Sequence, residues 1–77
     1  MMTPEETRVL AFLRKHLIAR VGDVARACLV GASPEWVDRV IGTLDWFGYV
    51  TVFYGPAGEA AVVQITDRGK ACRLTDG

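Results

Sequence analysis

No charge of either sign predominates in this 77-residue sequence: nine Lys plus Arg stand against nine Asp plus Glu. A polybasic tail, an acidic tail and bulk electrostatic attraction to nucleic acid are therefore excluded for the chain as a whole, and only local charge can direct a partner. Metal-ligating residues are sparse as well. Two cysteines, Cys28 and Cys72, and one histidine, His16, cannot assemble a four-ligand structural zinc site within one chain, so neither a metal nor a cofactor is expected. The amino terminus, Met1-Met2-Thr3-Pro4-Glu5-Glu6, has neither the positive start nor the apolar run of a secretory signal, which argues against a disulfide framework and for the cytoplasm. Arg14, Lys15, Arg20, Asp23 and Arg26 interrupt the longest apolar candidates well short of the roughly 20 residues that cross a bilayer, so no membrane partner is expected. Catalytic groupings are missing too. His16 stands alone, no Ser or Cys nucleophile has a placed base, and no glycine-rich phosphate loop follows a strand, so enzyme chemistry is not expected.

Apolar residues, by contrast, are plentiful. At 51% of the chain they exclude a disordered polypeptide. The length allows one domain, 1–77, since a second core needs roughly another 50 residues. A domain of this size hides only about 60% of its unfolded-chain surface, so some of that apolar content should stay outside for a partner to cover.

The chain reads as three helices and a hairpin. Thr3 caps a first helix, Pro4 fits its first turn and Glu6 completes a capping box, while Val9, Leu10, Leu13 and Leu17 form the inward stripe. The pattern stops and restarts near Arg20-Val21-Gly22, giving a short second helix from Asp23 to about Leu29, with Val24, Ala25 and Cys28 on its apolar side. Ser33-Pro34-Glu35 is the strongest start signal present, and a third helix over 33–47 carries Val37, Ile41 and Leu44 on one face before Gly48 stops it. Tyr49 to Tyr54 and Glu59 to Ile65 are rich in β-branched and aromatic residues around Gly55-Pro56-Ala57-Gly58, which predicts a β-hairpin. Thr66 to Cys72 can cap one last helical turn, with fraying expected over Leu74 to Gly77. The predicted core contains Val9, Leu13, Val24, Val37, Ile41, Leu44, Val50, Val63 and Ile65.

This α+β order resembles the winged helix-turn-helix superfamily: three helices, a β-hairpin wing and a short C-terminal turn. Residues 33–50 look like the recognition helix of MarR-type regulators, where serine caps the helix and Gly-apolar-apolar opens the wing. Val63-Gln64-Ile65-Thr66-Asp67-Arg68-Gly69-Lys70-Ala71 is similar to the Leu-Thr-x-x-Gly-basic segment that ends the wing in those families. The resemblance implies a small DNA-binding transcriptional regulator that uses 33–47 as its recognition helix. Two departures stand out: the turn Leu29-Val30-Gly31-Ala32 is longer than usual, and the dimerising helices outside the winged core are absent from this sequence.

If duplex DNA is the partner, the outward residues of the third helix include Ser33 at its start, then Pro34, Glu35, Trp36, Asp38, Arg39, Gly42 and Thr43, with Arg68 nearby. Arg39 is the obvious guanine reader, whereas Glu35 and Asp38 would repel phosphates. Residues 21–60 hold two basic residues, Arg26 and Arg39, against five acids, and the wing tip Gly55–Gly58 offers no cation for a minor groove. Those features favour the alternative, a winged-helix module that binds a protein instead, as adaptor or inhibitor. Trp36 is then an interface anchor, or else it covers the helix-turn-helix elbow. Alternation along the hairpin turns Val50, Val52 and Tyr54 inward with Ala61, Val63 and Ile65, leaving Phe53 and Val62 outward. With Trp46 and Tyr49 close by in the chain, they form a candidate surface for a homodimer or a partner. Cys72 is expected to be more accessible than Cys28, with Arg68, Lys70 and Arg73 available to favour a thiolate and a redox role.

Overall fold

The computed structural model describes residues 2–72. The predicted fraying over Leu74 to Gly77 and the cation Arg73 lie outside the described residues. Thr3 opens the first helix, α1 (Pro4–His16), through a reciprocal box: the Glu6 amide donates to Thr3 Oγ1 at 3.2 Å, and the Thr3 amide donates to Glu6 Oε1 at 3.0 Å. That engagement accounts for an acid tolerated at 8% exposure. Val9, Leu10 and Leu13 form the buried stripe. Leu17, assigned to that stripe by its spacing, is instead 48% exposed. The helix ends at Leu17, whose φ of 69° swings the chain away while its amide still donates to the Leu13 carbonyl at 2.7 Å.

That swing launches a strand missing from the sequence-based expectation, β1 (Ile18–Arg20). Three residues are too few to display a two-residue alternation, so the interruption in the helical pattern concealed it. The second helix, α2 (Val21–Cys28), follows at once and starts two residues before Asp23. Arg8 Nε donates to the Cys28 carbonyl at 3.2 Å and the Cys28 thiol donates to the Arg8 carbonyl at 3.7 Å, tying α1 to α2. The longer connection is a tight turn, with the Ala32 amide donating to the Leu29 carbonyl at 3.0 Å and Gly31 at φ 82°. Glycine suits that position because L side chains rarely take positive φ.

The third helix, α3 (Pro34–Trp46), begins where the Trp36 amide donates to Ser33 Oγ at 3.2 Å. It ends in a Schellman motif: Gly48, at φ 79°, donates to the Asp45 carbonyl at 2.9 Å, and the Tyr49 amide donates to the Leu44 carbonyl at 3.0 Å. β2 (Val50–Tyr54) and β3 (Ala60–Ile65) make the wing, and β1 joins them in an antiparallel sheet of order β1-β3-β2. Val50 faces Ile65, Val52 faces Val63 and Phe53 faces Val62. A register shift between Phe53 and Tyr54 then pairs Tyr54 with Ala60 and leaves Tyr54 64% exposed, where strict alternation would have buried it. The same shift leaves Ala61 only half-buried. Thr66 caps the last short helix, α4 (Asp67–Ala71).

All nine residues predicted for the core are buried, and Leu10, Val21, Cys28, Leu29 and Val40 complete it. The three longer helices pack on one face of the sheet, in the α+β arrangement of a winged helix-turn-helix with its third strand.

Candidate nucleic-acid or partner interface

The outward side of α3 carries most of the residues singled out in the sequence, and the geometry divides them by what each is already doing. Ser33 is engaged as the helix cap. Thr43 donates its hydroxyl to the Arg39 carbonyl at 2.9 Å, so it too is occupied within the helix. Pro34, Glu35, Trp36, Asp38, Arg39 and Gly42 are exposed. Among the described residues the ion pairs are Arg8–Glu5 at 4.0 Å, Arg26–Asp23 at 2.8 Å and Lys70–Asp67 at 4.0 Å, and Arg39 takes part in none of them. Its guanidinium is therefore uncommitted on the helix face.

A groove runs between α3 and the wing, lined by Asp38, Ile41 and Gly42 on one side and by Val52, Tyr54 and residues 58–60 on the other. Its two charged lining residues, Asp38 and Glu59, are both acids. Glu59 is engaged within the wing tip, where the Ala57 amide donates to its Oε1 at 3.2 Å and the Gly55 amide donates to its main-chain carbonyl at 2.7 Å. A Cβ on Gly55 would meet the Glu59 carboxylate, the mobile end of a side chain that can shift aside. A second, shallow hollow at the elbow of α2 and α3 is lined chiefly by Val21, Ala25, Ala32, Pro34 and Val37.

The cations gather at the base of the wing and beyond it, not at its tip. Arg68 holds its guanidinium carbon 5.7 Å from the centroid of the Tyr49 ring and runs alongside Gly48. Arg14 donates to the Cys72 carbonyl, which joins the end of α1 to α4. Cys72 is half-buried and Cys28 buried, in the order expected. Burial pushes the Cys28 thiol above its ordinary 9.0, with Arg8 pulling the other way. Tyr49 is also shifted upward, first by a side-chain hydrogen bond with Cys72, then by the charge of that group and by burial, with Arg68 opposing.

The four residues proposed for association fall into two groups, Trp46 and Tyr49 before β2, and Phe53 with Val62 on the wing strands. Tyr49 is half-buried and stacks on Phe47 at 5.7 Å, while Trp46 meets Phe47 edge-on at 5.5 Å and is itself 83% exposed. Phe53 is 47% exposed and sits across from half-buried Val62 at the other end of β2. Sequence reasoning overlooked two neighbours of these residues. Phe47 lies between Trp46 and Tyr49 in the ring contacts, and Arg20 comes next to Val62 only because β1 pairs with β3. Among the described residues no three His, Cys, Asp or Glu side chains converge in a way that could hold a metal ion, and no helix is long and apolar enough to cross a membrane.

Neither a protein-family model nor a curated protein matches the sequence. Solved structures of MarR-family winged-helix regulators do match the fold. A MepR-like protein complexed with pseudoligands is 20% identical with a TM-score of 0.75, across 91% of this chain and 49% of that one. BpsR of Bordetella bronchiseptica, whose DNA binding is regulated by 6-hydroxynicotinic acid, is 27% identical with a TM-score of 0.73 over the same shares, 91% and 49%. YusO of Bacillus subtilis is 23% identical with a TM-score of 0.70, covering 88% of this chain and 48% of its own. The fold is thus a MarR-like winged helix, and the chain spans about half the length of the structures it matches.

Proposed function

We propose that this chain is the DNA-reading domain of a cytoplasmic transcriptional regulator, with α3 entering the major groove. One observation carries the proposal: over 91% of its length the chain shares its fold with BpsR, a protein with regulated DNA binding. Arg39 suits the role of reader, since an uncommitted guanidinium on the outward face of α3 can donate to O6 and N7 of guanine together. Glu35 and Asp38 can accept from cytosine amino groups but repel phosphates, so the backbone contacts fall to Arg14, Lys15 and Arg68. Regulators rather than enzymes are the structural neighbours, in keeping with this role. Arg39→Ala should weaken binding to a selected operator by about 1 to 3 kcal/mol, while the uncharged change Ala57→Ser at the wing tip should leave it unchanged. Equal affinity for the two variants in a fluorescence-anisotropy titration would refute the readout.

The second reading is a winged-helix module that binds a protein and not DNA. The groove between α3 and the wing favours it, because its charged lining residues are the two acids Asp38 and Glu59, and Trp36 is exposed nearby on α3. Binding to random duplex DNA across a salt series separates the readings. A DNA reader loses affinity steadily as salt rises, whereas a protein module gives no salt-dependent binding to lose.

A further inference from the structure

Among the described residues, helices cover one face of the sheet and leave the other open. Residues paired across antiparallel strands share a face, so Ile18, Gln64 and Thr51 make one outward row and Arg20, Val62 and Phe53 make the next. The ladder continues a step toward the base of the wing, where the Thr66 amide donates to the Tyr49 carbonyl at 3.0 Å, and alternation sets Tyr49 on the face of Thr51 and Phe53. Phe47 stacked on Tyr49, with Trp46 against it, extends the surface. Ile18 is 51% exposed, and with Phe53 and Trp46 it belongs to an apolar surface of a kind that a monomeric domain seldom leaves uncovered.

The charged residues in the paired rows and over the Tyr49 ring are arginines, while exposed Asp45 precedes Trp46 in the chain. Arg20 stands at one corner and Arg68, over the Tyr49 ring, at the opposite one. No Asp or Glu occurs in residues 18–20, 46–54 or 60–66. Asp67, next to Arg68 in the chain, pairs with Lys70.

We propose that this open sheet face docks an acidic amphipathic helix of a partner protein. The apolar stripe of that helix lies on Phe53, Val62, Ile18 and Tyr49, and its carboxylates meet Arg20 and Arg68. Charge complementarity selects the occupant. An acidic helix supplies a charge-assisted, bidentate partner for each arginine, whereas a second copy of the same face has no carboxylate in its paired rows to offer. Spacing constrains it further. Four residues along the strands and two strand separations across put Arg20 roughly 16 Å from Tyr49, whose ring Arg68 overlies, which is about three turns of helix, so acids about 11 residues apart match the span. A helix laid there gives the sheet a covering layer on its second face.

The probe is a helix-stabilised synthetic peptide of about 18 residues with one leucine stripe and two glutamates about 11 positions apart, and its control carries lysines in place of the glutamates. Each is titrated into the isotope-labelled full chain and followed by amide chemical shifts. The glutamate peptide should bind at least about tenfold more tightly than the lysine peptide, and it should shift the amides of residues 18–20, 51–53 and 62–64 but not those of the outward side of α3. Arg20→Glu should reverse the preference, with circular dichroism confirming the fold. Arg20 is reversed instead of Arg68 because the DNA reading also uses Arg68, so the two readings fail separately. Equal binding of the two peptides, or shifts confined to the α3–wing groove, overturns the proposal. So does a sedimenting homodimer that Phe53→Lys dissociates, since a second copy then holds the face. Binding to lipid vesicles through these same amides, with neither peptide bound, likewise overturns it.

Discussion

Leu17 shows how far one backbone angle can depart from what a periodic pattern implies. It falls on the helical repeat of α1, yet among the described residues it alone combines a side chain with positive φ, at 69°. A non-glycine residue held there costs about 1 to 3 kcal/mol, offset by the strand that follows and by the Ile65 amide donating to the Leu17 carbonyl at 2.9 Å. Glycine takes that angle without strain but loses about 0.5 to 1 kcal/mol through unfolded-chain entropy. Leu17→Gly should therefore be more stable than Leu17→Ala by about 1 kcal/mol in urea unfolding, the reverse of the usual order for these two residues. Cys28 supplies a second test. Its thiol is raised by burial, so the folded state keeps the proton longer than the unfolded chain does. The associated stability is complete below the unfolded value and is lost as pH rises through the folded one. Unfolding free energy should fall as pH climbs above about 9, and Cys28→Ala should lessen that fall over the first pH unit. Two polar residues whose type suggested ligand contact, Ser33 and Thr43, prove to be occupied locally at α3. Composition and spacing identify such residues as candidates but carry no information on whether a nearby amide has already claimed the oxygen.

At the scale of elements, the segment that resembled the end of a wing in known families turns out to be a joint. Thr66 Oγ1 accepts from the Gly69 amide at 3.0 Å and donates to the Gly48 carbonyl at 2.6 Å, so one hydroxyl caps α4 and holds the C-terminal stop of α3. Gly69 has a steric reason to be glycine: a Cβ there would overlap the Tyr49 carbonyl and come within 2.8 Å of Ile65 Cγ1. Gly69→Ala should destabilise by about 1 to 3 kcal/mol, as overpacking against fixed backbone does, and the loss should appear in the thermal midpoint. Thr66→Val, similar in shape, should cost about 1 kcal/mol by removing both hydrogen bonds of a half-buried hydroxyl. α1 and α3 were legible because they carry their own signals, such as the Thr3 box, Ser33-Pro34 and Gly48, whereas α2 has no side-chain cap and begins two residues before its expected start. β1 was not legible, because its three residues exist as a strand only through pairing with β3, a contact about 44 residues distant along the chain. The shift at Phe53/Tyr54 was hidden for the same reason, since alternation predicts a face but not where the ladder slips.

For the whole molecule, the buried core followed from pattern while the surface depended on assembly. Leu44, fully buried at the centre of that core, should cost about 2 to 5 kcal/mol when cut to Ala. The separation of charge along the sequence was visible, but its placement was not. Folding leaves the acids Asp38 and Glu59 in the α3–wing groove and gathers Arg14 and Arg68 near α4 and the wing base. A domain so charged can offer contacts to few phosphates. If Arg39, Arg14, Lys15 and Arg68 are the contacting cations, the slope of log K against log salt should be no steeper than about −4, because each neutralised phosphate contributes about −0.9. The tip of the wing provides the decisive addition. Ala57 is exposed there, and its amide is already held by Glu59, so a longer side chain extends into solvent without disturbing the turn. Ala57→Arg should steepen the slope by about one unit and strengthen binding to random and selected duplexes alike, since a contact to phosphate carries no sequence preference. A slope unchanged by that substitution would mean that the wing does not approach the duplex, and that α3 either docks in another orientation or meets a protein.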